Sequence, residues 1–140
     1  MIFLDTSVLV AIAHVNHEGH PASRALWNTC SAAGTAVSVQ ALAELYGALT
    51  AMPPALCISP RNAVLAVETF LKRLTPVELT GEEYLETLRR TASLGYTGGM
   101  ICDVLHLACA RKVDARRIYT WNVRHFHRAA PDLKERILTP

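Results

Sequence analysis

The first twelve residues, Met1-Ile2-Phe3-Leu4-Asp5-Thr6-Ser7-Val8-Leu9-Val10-Ala11-Ile12, set one carboxylate into a largely apolar run. Ile2-Phe3-Leu4 reads as a short buried strand. Thr6 to Ile12 reads as a helix that follows at once, with Thr6 or Ser7 able to cap it. Asp5 then stands at the carboxyl end of a buried strand. A lone charge there is costly unless it is hydrogen-bonded, paired or bound to a metal. Further along, the stretch 39–49, VQALAELYGAL, surrounds Glu44 with apolar residues, and 98–110, GGMICDVLHLACA, does the same for Asp103. Three of the chain's 12 acidic residues thus sit in its most apolar surroundings, and something must compensate each of them.

The rest of the chain repeats the first motif of short strand followed by helix. His20-Pro21 opens a second helix, with Pro21 suited to its first turn, and Gly34 ends it. Ala36–Val39 is a short strand, a helix runs through Glu44 to about Thr50, and Met52-Pro53-Pro54 breaks it. Ser59-Pro60 starts a helix that runs to about Leu74, and Pro76–Leu79 is a third strand. Thr80 and Glu83 form a capping box for a helix that runs to about Leu94. Residues 95–99 are a loop. Met100–Arg111 is apolar almost all round and is expected to be a central helix. Arg117–Thr120 and Arg136–Thr139 read as the fourth and fifth strands. Short apolar strands alternating with helices predict an α/β layer with a mainly parallel sheet. In such sheets ligands gather beyond the carboxyl ends of the strands. That places Asp5, Asn122 two residues after strand four, and Asp103 near its helix start at one edge.

Composition narrows the class. A chain of 140 residues reads as one domain, 1–140, and 51% hydrophobic against 19% charged residues excludes a disordered segment. No apolar stretch approaches the roughly 18 residues of a membrane span. The strand beginning at Met1, without a basic leader before it, predicts no signal peptide and a cytoplasmic protein. Cys30, Cys57, Cys102 and Cys109 form no C-x-x-C pair and are expected to be small core residues. Net charge is +2 but uneven: from Arg111 onward there are eight basic residues against three acidic ones. Such a bias suits a polyanion, though a solvated surface explains it equally.

Each buried acid alone has an ordinary explanation. Asp5 suits a helix cap, Asp103 a first-turn position favoured by the helix dipole, and Glu44 a pair with a buried arginine. Jointly these readings weaken, because none of the three local stretches contains Lys or Arg and Arg24 is the only basic residue before position 61. A divalent cation is the economical partner for clustered carboxylates, and oxygen ligands favour Mg²⁺ or Mn²⁺ over zinc. Such an ion suits phosphodiester hydrolysis. His14-x-x-His17-x-x-His20 reads as a polar loop rather than a zinc clip, since no fourth ligand is evident. His106, one helical turn from Asp103, reads as a core residue or a support for the acids. A metal-free ribonuclease would need two histidines or another acid–base pair. A phosphatase built on an aspartate nucleophile would want a second Asp where Ser7 stands, and a dinucleotide site would want glycines after strand one.

Taken with their flanks, these residues resemble the PIN-domain ribonucleases, and most closely the VapC-type toxins of type II toxin–antitoxin pairs. The matching pieces are FLDTSVLVAI (3–12), SVQALAELYGAL (38–49), GYTGGMICDVLHLACA (95–110) and IYTWNVRHF (118–126), in order, with the closing ILTP. The resemblance implies a three-layer α/β sandwich with a parallel sheet of about five strands. It implies an acidic site in which Asp5, Glu44 and Asp103 hold one or two Mg²⁺ or Mn²⁺ ions. Asp5 and Asp103 would be the principal ligands, and Glu44 would hold a second ion or the attacking water. Thr6 or Ser7 would orient the site. Thr120 and Asn122 match the family's fourth acidic position; Asn in place of Asp lowers the negative charge and favours a single ion. Apart from the resemblance, Arg124 either contacts phosphate or belongs to a solvated surface, with His125 and Arg128 beside it and Arg116 and Arg117 before strand four as further basic groups. Trp121 would stack on a base or pack on the neighbouring helix. The resemblance also implies RNA cleavage leaving a 3′-hydroxyl and a 5′-phosphate, a homodimer, and silencing by a VapB-like antitoxin. The alternative is a catalytically silent PIN-like module that binds RNA or a partner.

Overall fold

β1 (Ile2–Leu4) runs only three residues, because Asp5 turns the chain straight into α1 (Thr6–Ala13) in the computed structural model, which describes residues 1–140. Asp5 keeps extended dihedrals and its side chain accepts from the Ser7 N–H, so of the three candidate caps, Asp5, Thr6 and Ser7, Asp5 takes the position. α2 (His20–Thr29) carries Pro21 in its first turn and stops at Cys30, four residues before Gly34. β2 (Thr35–Ser38) is buried throughout. Its last residue, Ser38, caps α3 (Val39–Thr50) by accepting from the Ala41 N–H at 3.0 Å. Ser59 caps α4 (Pro60–Leu71), which ends three residues earlier than expected, and β3 is Thr75–Val77.

Thr80 and Glu83 form the expected capping box on α5 (Gly81–Ser93). α6 (Met100–Lys112) buries Leu105, His106, Leu107, Cys109 and Ala110 and is the central helix of its layer, packed against α5, β2 and the segment after β4 (Arg117–Tyr119). That segment holds two elements the sequence reading did not assign, α7 (Val123–Ala129) and a 3-10 turn (Pro131–Arg136), before the expected fifth strand, β5 (Ile137–Leu138). Only Phe126 anchors α7 fully, so its apolar periodicity is one residue deep, and the basic residues around it mask the helix.

All four strand pairings are parallel, in the order β3-β2-β1-β4-β5. The chain moves outward from β1 through β2 to β3, then returns to the other side of β1 and moves outward again. Right-handed crossovers therefore put α1 to α4 on one face and α5 to α7 on the other. Alternation along the strands feeds both layers. Leu4 and Val37 join Val8, Leu9, Leu45, Leu49 and Phe70 on one side. Phe3, Ala36 and Ile118 join Leu107, Phe126 and Ile137 on the other. The result is the expected three-layer sandwich with five strands. Its direction reverses between β1 and β4, and a crevice opens there beyond the strand ends.

The expectation that all four cysteines are core residues is corrected. Cys30 and Cys109 are buried, but Cys57 is exposed, its thiol directed to the Thr50 carbonyl, and Cys102 is only half-buried. Cys57 lies in the Met52–Ser59 connection, where no apolar layer covers it. In the histidine loop, His17 accepts from the Gly19 N–H and His20 donates to the Ala11 carbonyl. These bonds shape the α1–α2 loop so that Gly19 lies under the indole of Trp121, where any Cβ would collide with the ring. Gly19→Ala is therefore expected to cost about 1–3 kcal/mol in urea unfolding, through displacement of Trp121.

Candidate active site

Asp5 is 2% exposed, and its Oδ2 is held from two connections at once. Ser7 donates its hydroxyl at 2.6 Å and its backbone N–H at 3.3 Å, and Thr120 donates its hydroxyl at 2.8 Å. Both hydroxyls are themselves fixed. Ser7 Oγ accepts from the Trp121 N–H and Thr120 Oγ1 from the Asn122 N–H, each at 2.9 Å. The β4–α7 connection is thus stitched to the β1–α1 turn through a single carboxylate oxygen. The other oxygen, Oδ1, lies 3.7 Å from His106 Nε2.

Glu44, on α3, receives Thr6 Oγ1 on Oε2 at 2.6 Å and Gln40 Nε2 on Oε1 at 2.5 Å. His106 Nε2 stands 2.9 Å from Oε2. Burial alone would raise the Glu44 pKa, but bonds from His106, Thr6 and Gln40 outweigh it and hold the carboxyl down at about 2. Its compensating partner is therefore a histidine rather than an arginine. His106 is 1% exposed, with Nδ1 2.7 Å from Ser38 Oγ. Burial disfavours its charged form, yet the Glu44 bond and the nearby Asp5 raise its pKa. His106 is the member of the site that the sequence reading left undecided, and its only signal was the three-residue spacing from Asp103.

Asp103, in the first turn of α6, accepts no hydrogen bond from the protein; its nearest basic group is His125 Nδ1, 3.7 Å from Oδ2. Burial, and then the charge of Asp5, push its pKa up to about 6, against the opposing pull of His125 and His106. Asp103 and Asp5 Oδ1 are thus two mutually repelling acceptors with lone pairs to offer, a donor set that fits a hard divalent cation. Glu44 is the better compensated acid, with Thr6 and His106 on Oε2 and Gln40 alone on Oε1. No three His, Cys, Asp or Glu side chains form a closed cage, so water or phosphate oxygens would have to complete an ion's shell.

The remaining expected residues divide by position. Thr6, Ser7 and Thr120 hold Glu44 and Asp5 directly. Asn122 is exposed at the head of α7 and contributes its N–H to Thr120, while its side chain makes no hydrogen bond. Trp121 packs over Gly19 and donates its indole N–H to Ser23 on α2 at 2.9 Å. Arg124 is exposed on α7. Arg116 and Arg117 lie at the amino end of β4, across the sheet from the acids. Beside Asp103 opens a polar cleft of about 440 Å³, lined by Thr97, Gly99, Met100, His125 and Arg128.

A family model described as PIN domain matches residues 2–131. The chain belongs to the PIN-domain family. Solved structures share the fold of this PIN domain. The Mycobacterium tuberculosis toxin VapC20, described as cleaving the sarcin–ricin loop, is 18% identical with a TM-score of 0.73, over 89% of this chain and 92% of its own. VapBC-1 from nontypeable Haemophilus influenzae is 19% identical with a TM-score of 0.66, over 99% of this chain and 98% of that one. VapBC2 from Rickettsia felis, bound to a promoter DNA fragment, is 19% identical with a TM-score of 0.64 over the same shares. No curated protein sequence matches the chain.

The opposite pKa shifts predict opposite pH effects on the metal-free PIN domain. Asp103 rises from 3.8 to about 6, so the folded state holds its proton more tightly, and stability falls as pH climbs through that window. Asp103→Asn should then be more stable than the parent at pH 7.5, by about 1 kcal/mol after allowing for solvent screening in the cleft, with the gain gone near pH 4. Glu44 falls from 4.5 to about 2, so its contribution is complete above the upper value and lost as pH drops toward the lower one. His106→Ala, which leaves Glu44 and Ser38 short of a partner, should cost roughly 2 kcal/mol at pH 7.5. Urea unfolding of the three proteins at both pH values checks all of this.

Proposed function

We propose that this PIN domain, spanning residues 1–140, is a metal-dependent endoribonuclease and the toxin of a VapBC-type pair. One observation carries the reading: Asp5 Oδ1 and Asp103 converge at the reversal point of the sheet with no lysine or arginine to neutralise them. The structures that share the fold support the biological setting, since VapC20 is described as a sarcin–ricin loop cleaving toxin and others are described as VapBC.

Asp5 and Asp103 would hold Mg²⁺ or Mn²⁺, and Asn122, replacing an acid, favours one ion over two. When bound, the ion polarises the scissile phosphate and lowers the pKa of an attacking water. The chain's own groups do the rest. Thr120 and Ser7 fix Asp5 through Oδ2, which leaves Oδ1 to serve as a ligand. Glu44, ionised and held by Thr6, Gln40 and His106, orients the water or supports a second ion. Arg124 on exposed α7 offers a phosphate contact, and Trp121 anchors the loop that carries Asn122. Cleavage would leave a 3′-hydroxyl and a 5′-phosphate. The protein would act in the cytoplasm as a homodimer, silenced by a VapB-like antitoxin; no helix is long and apolar enough to cross a membrane.

Asn122 also favours a second reading, a PIN module that binds RNA without cutting it. The two separate in one experiment. Partner-free protein is incubated with pooled tRNA and rRNA in Mg²⁺, Mn²⁺ or EDTA, beside Asp103→Asn. The nuclease predicts cuts in either metal, none in EDTA, and at least a hundredfold loss, roughly 3 kcal/mol of barrier, in the variant. RNA retained but uncut in every condition means the silent module. Cutting that survives EDTA means a metal-free mechanism.

A further inference from the structure

The cleft beside Asp103 has two unlike walls. On one side stands the half-buried carboxylate of Asp103; on the other, α7 presents His125 and Arg128. The other arginines of this layer that face acids are neutralised: Arg111 pairs with Asp132 at 2.8 Å and Arg136 with Asp114 at 2.9 Å. Arg128 makes no ion pair. Its guanidinium instead lies 5.8 Å over the ring of Tyr96, whose hydroxyl donates to the Arg128 carbonyl at 2.8 Å. Tyr96 therefore ties the far lip of the cleft, the loop before α6, to α7, and holds the cation in place without cancelling its charge. Met100 is the only apolar residue of the lining, and no Phe, Tyr or Trp lines it; its one ring is the His125 imidazole. The volume suits a nucleotide, but a wall so polar suits sugar and phosphate better than a base.

We propose that this cleft is a backbone-phosphate subsite in which Arg128 takes the RNA phosphate adjacent to the scissile one. The inference rests on the nuclease reading and adds to it the direction of the strand's path, from Asp103 across the α6–α7 cleft. It also assigns the contact a character: it positions RNA and does not read sequence. Base selection must then lie elsewhere on the molecule.

Binding of fluorescent single-stranded RNA is measured by anisotropy in EDTA between 50 and 200 mM KCl, using U-rich, A-rich and mixed oligonucleotides. The proteins are wild type, Arg128→Gln, Arg128→Lys and, as a control at the other end of the sheet, Arg116→Gln. One lost phosphate contact lowers the slope of log affinity against log salt by about 0.7. Arg128→Gln should show that drop and a loss of affinity equal on all three RNAs, with Arg128→Lys recovering most of it and Arg116→Gln unchanged. The melting temperature of Arg128→Gln should fall by no more than the few degrees that one exposed cation–π contact supplies, since no ion pair is broken. An unchanged slope in Arg128→Gln, or a loss confined to one sequence, overturns the subsite. Metal-dependent cutting by wild type together with an Arg128→Gln variant that binds as wild type does sinks the subsite alone. Wild type that neither binds nor cuts RNA removes the nuclease reading, and the subsite falls with it.

Discussion

The structure turns on one carboxylate oxygen. Asp5 Oδ2 caps α1 and accepts both the Ser7 and Thr120 hydroxyls. It thereby joins the two connections that leave β1 and β4. Those strands are neighbours although more than a hundred residues separate them in the chain. Any loosening of this contact frees the Trp121 and Asn122 backbone as well, because their N–H groups bond to the same two hydroxyls. Anchoring one oxygen so completely leaves the other with a fixed direction. That is how a short turn can present a charge with the rigidity a reactive site needs.

Fold geometry explains why the acids meet. A parallel sheet covered on both faces sends every strand's carboxyl end to the same edge, and the reversal between β1 and β4 keeps helices from covering the gap there. Asp5 arrives from β1, Thr120 and Asn122 from β4, Glu44 from the helix after β2, and Asp103 from the start of α6 on the opposite layer. Four segments far apart in the chain are therefore brought to one place by topology.

Compensation within the cluster is uneven. Glu44 has three hydrogen-bonding partners and stays ionised well into acid. Asp103 has none and resists ionisation because of burial and Asp5. A dication would relieve the second group while leaving the first undisturbed. His106 sits between the two regimes, bonded to Glu44 and Ser38 on either side of its ring, and so links α6 to the β2–α3 junction at the centre of the site.

Much of this was legible in the sequence. The apolar stretches around Asp5, Glu44 and Asp103, the strand–helix alternation, and the Thr80–Glu83 capping box depend on residues within a few positions of one another. Local sterics, hydrogen bonding and periodicity write them directly into the chain. The α7 helix was hidden because one buried phenylalanine gives too little periodic signal. His106 as the partner of Glu44, Thr120 as the second anchor of Asp5, and the cleft beneath Arg128 were decided only by tertiary structure. Each joins residues more than 30 positions apart, and a hydrogen bond or an opening between distant segments exists only after packing fixes their separation to within an ångström.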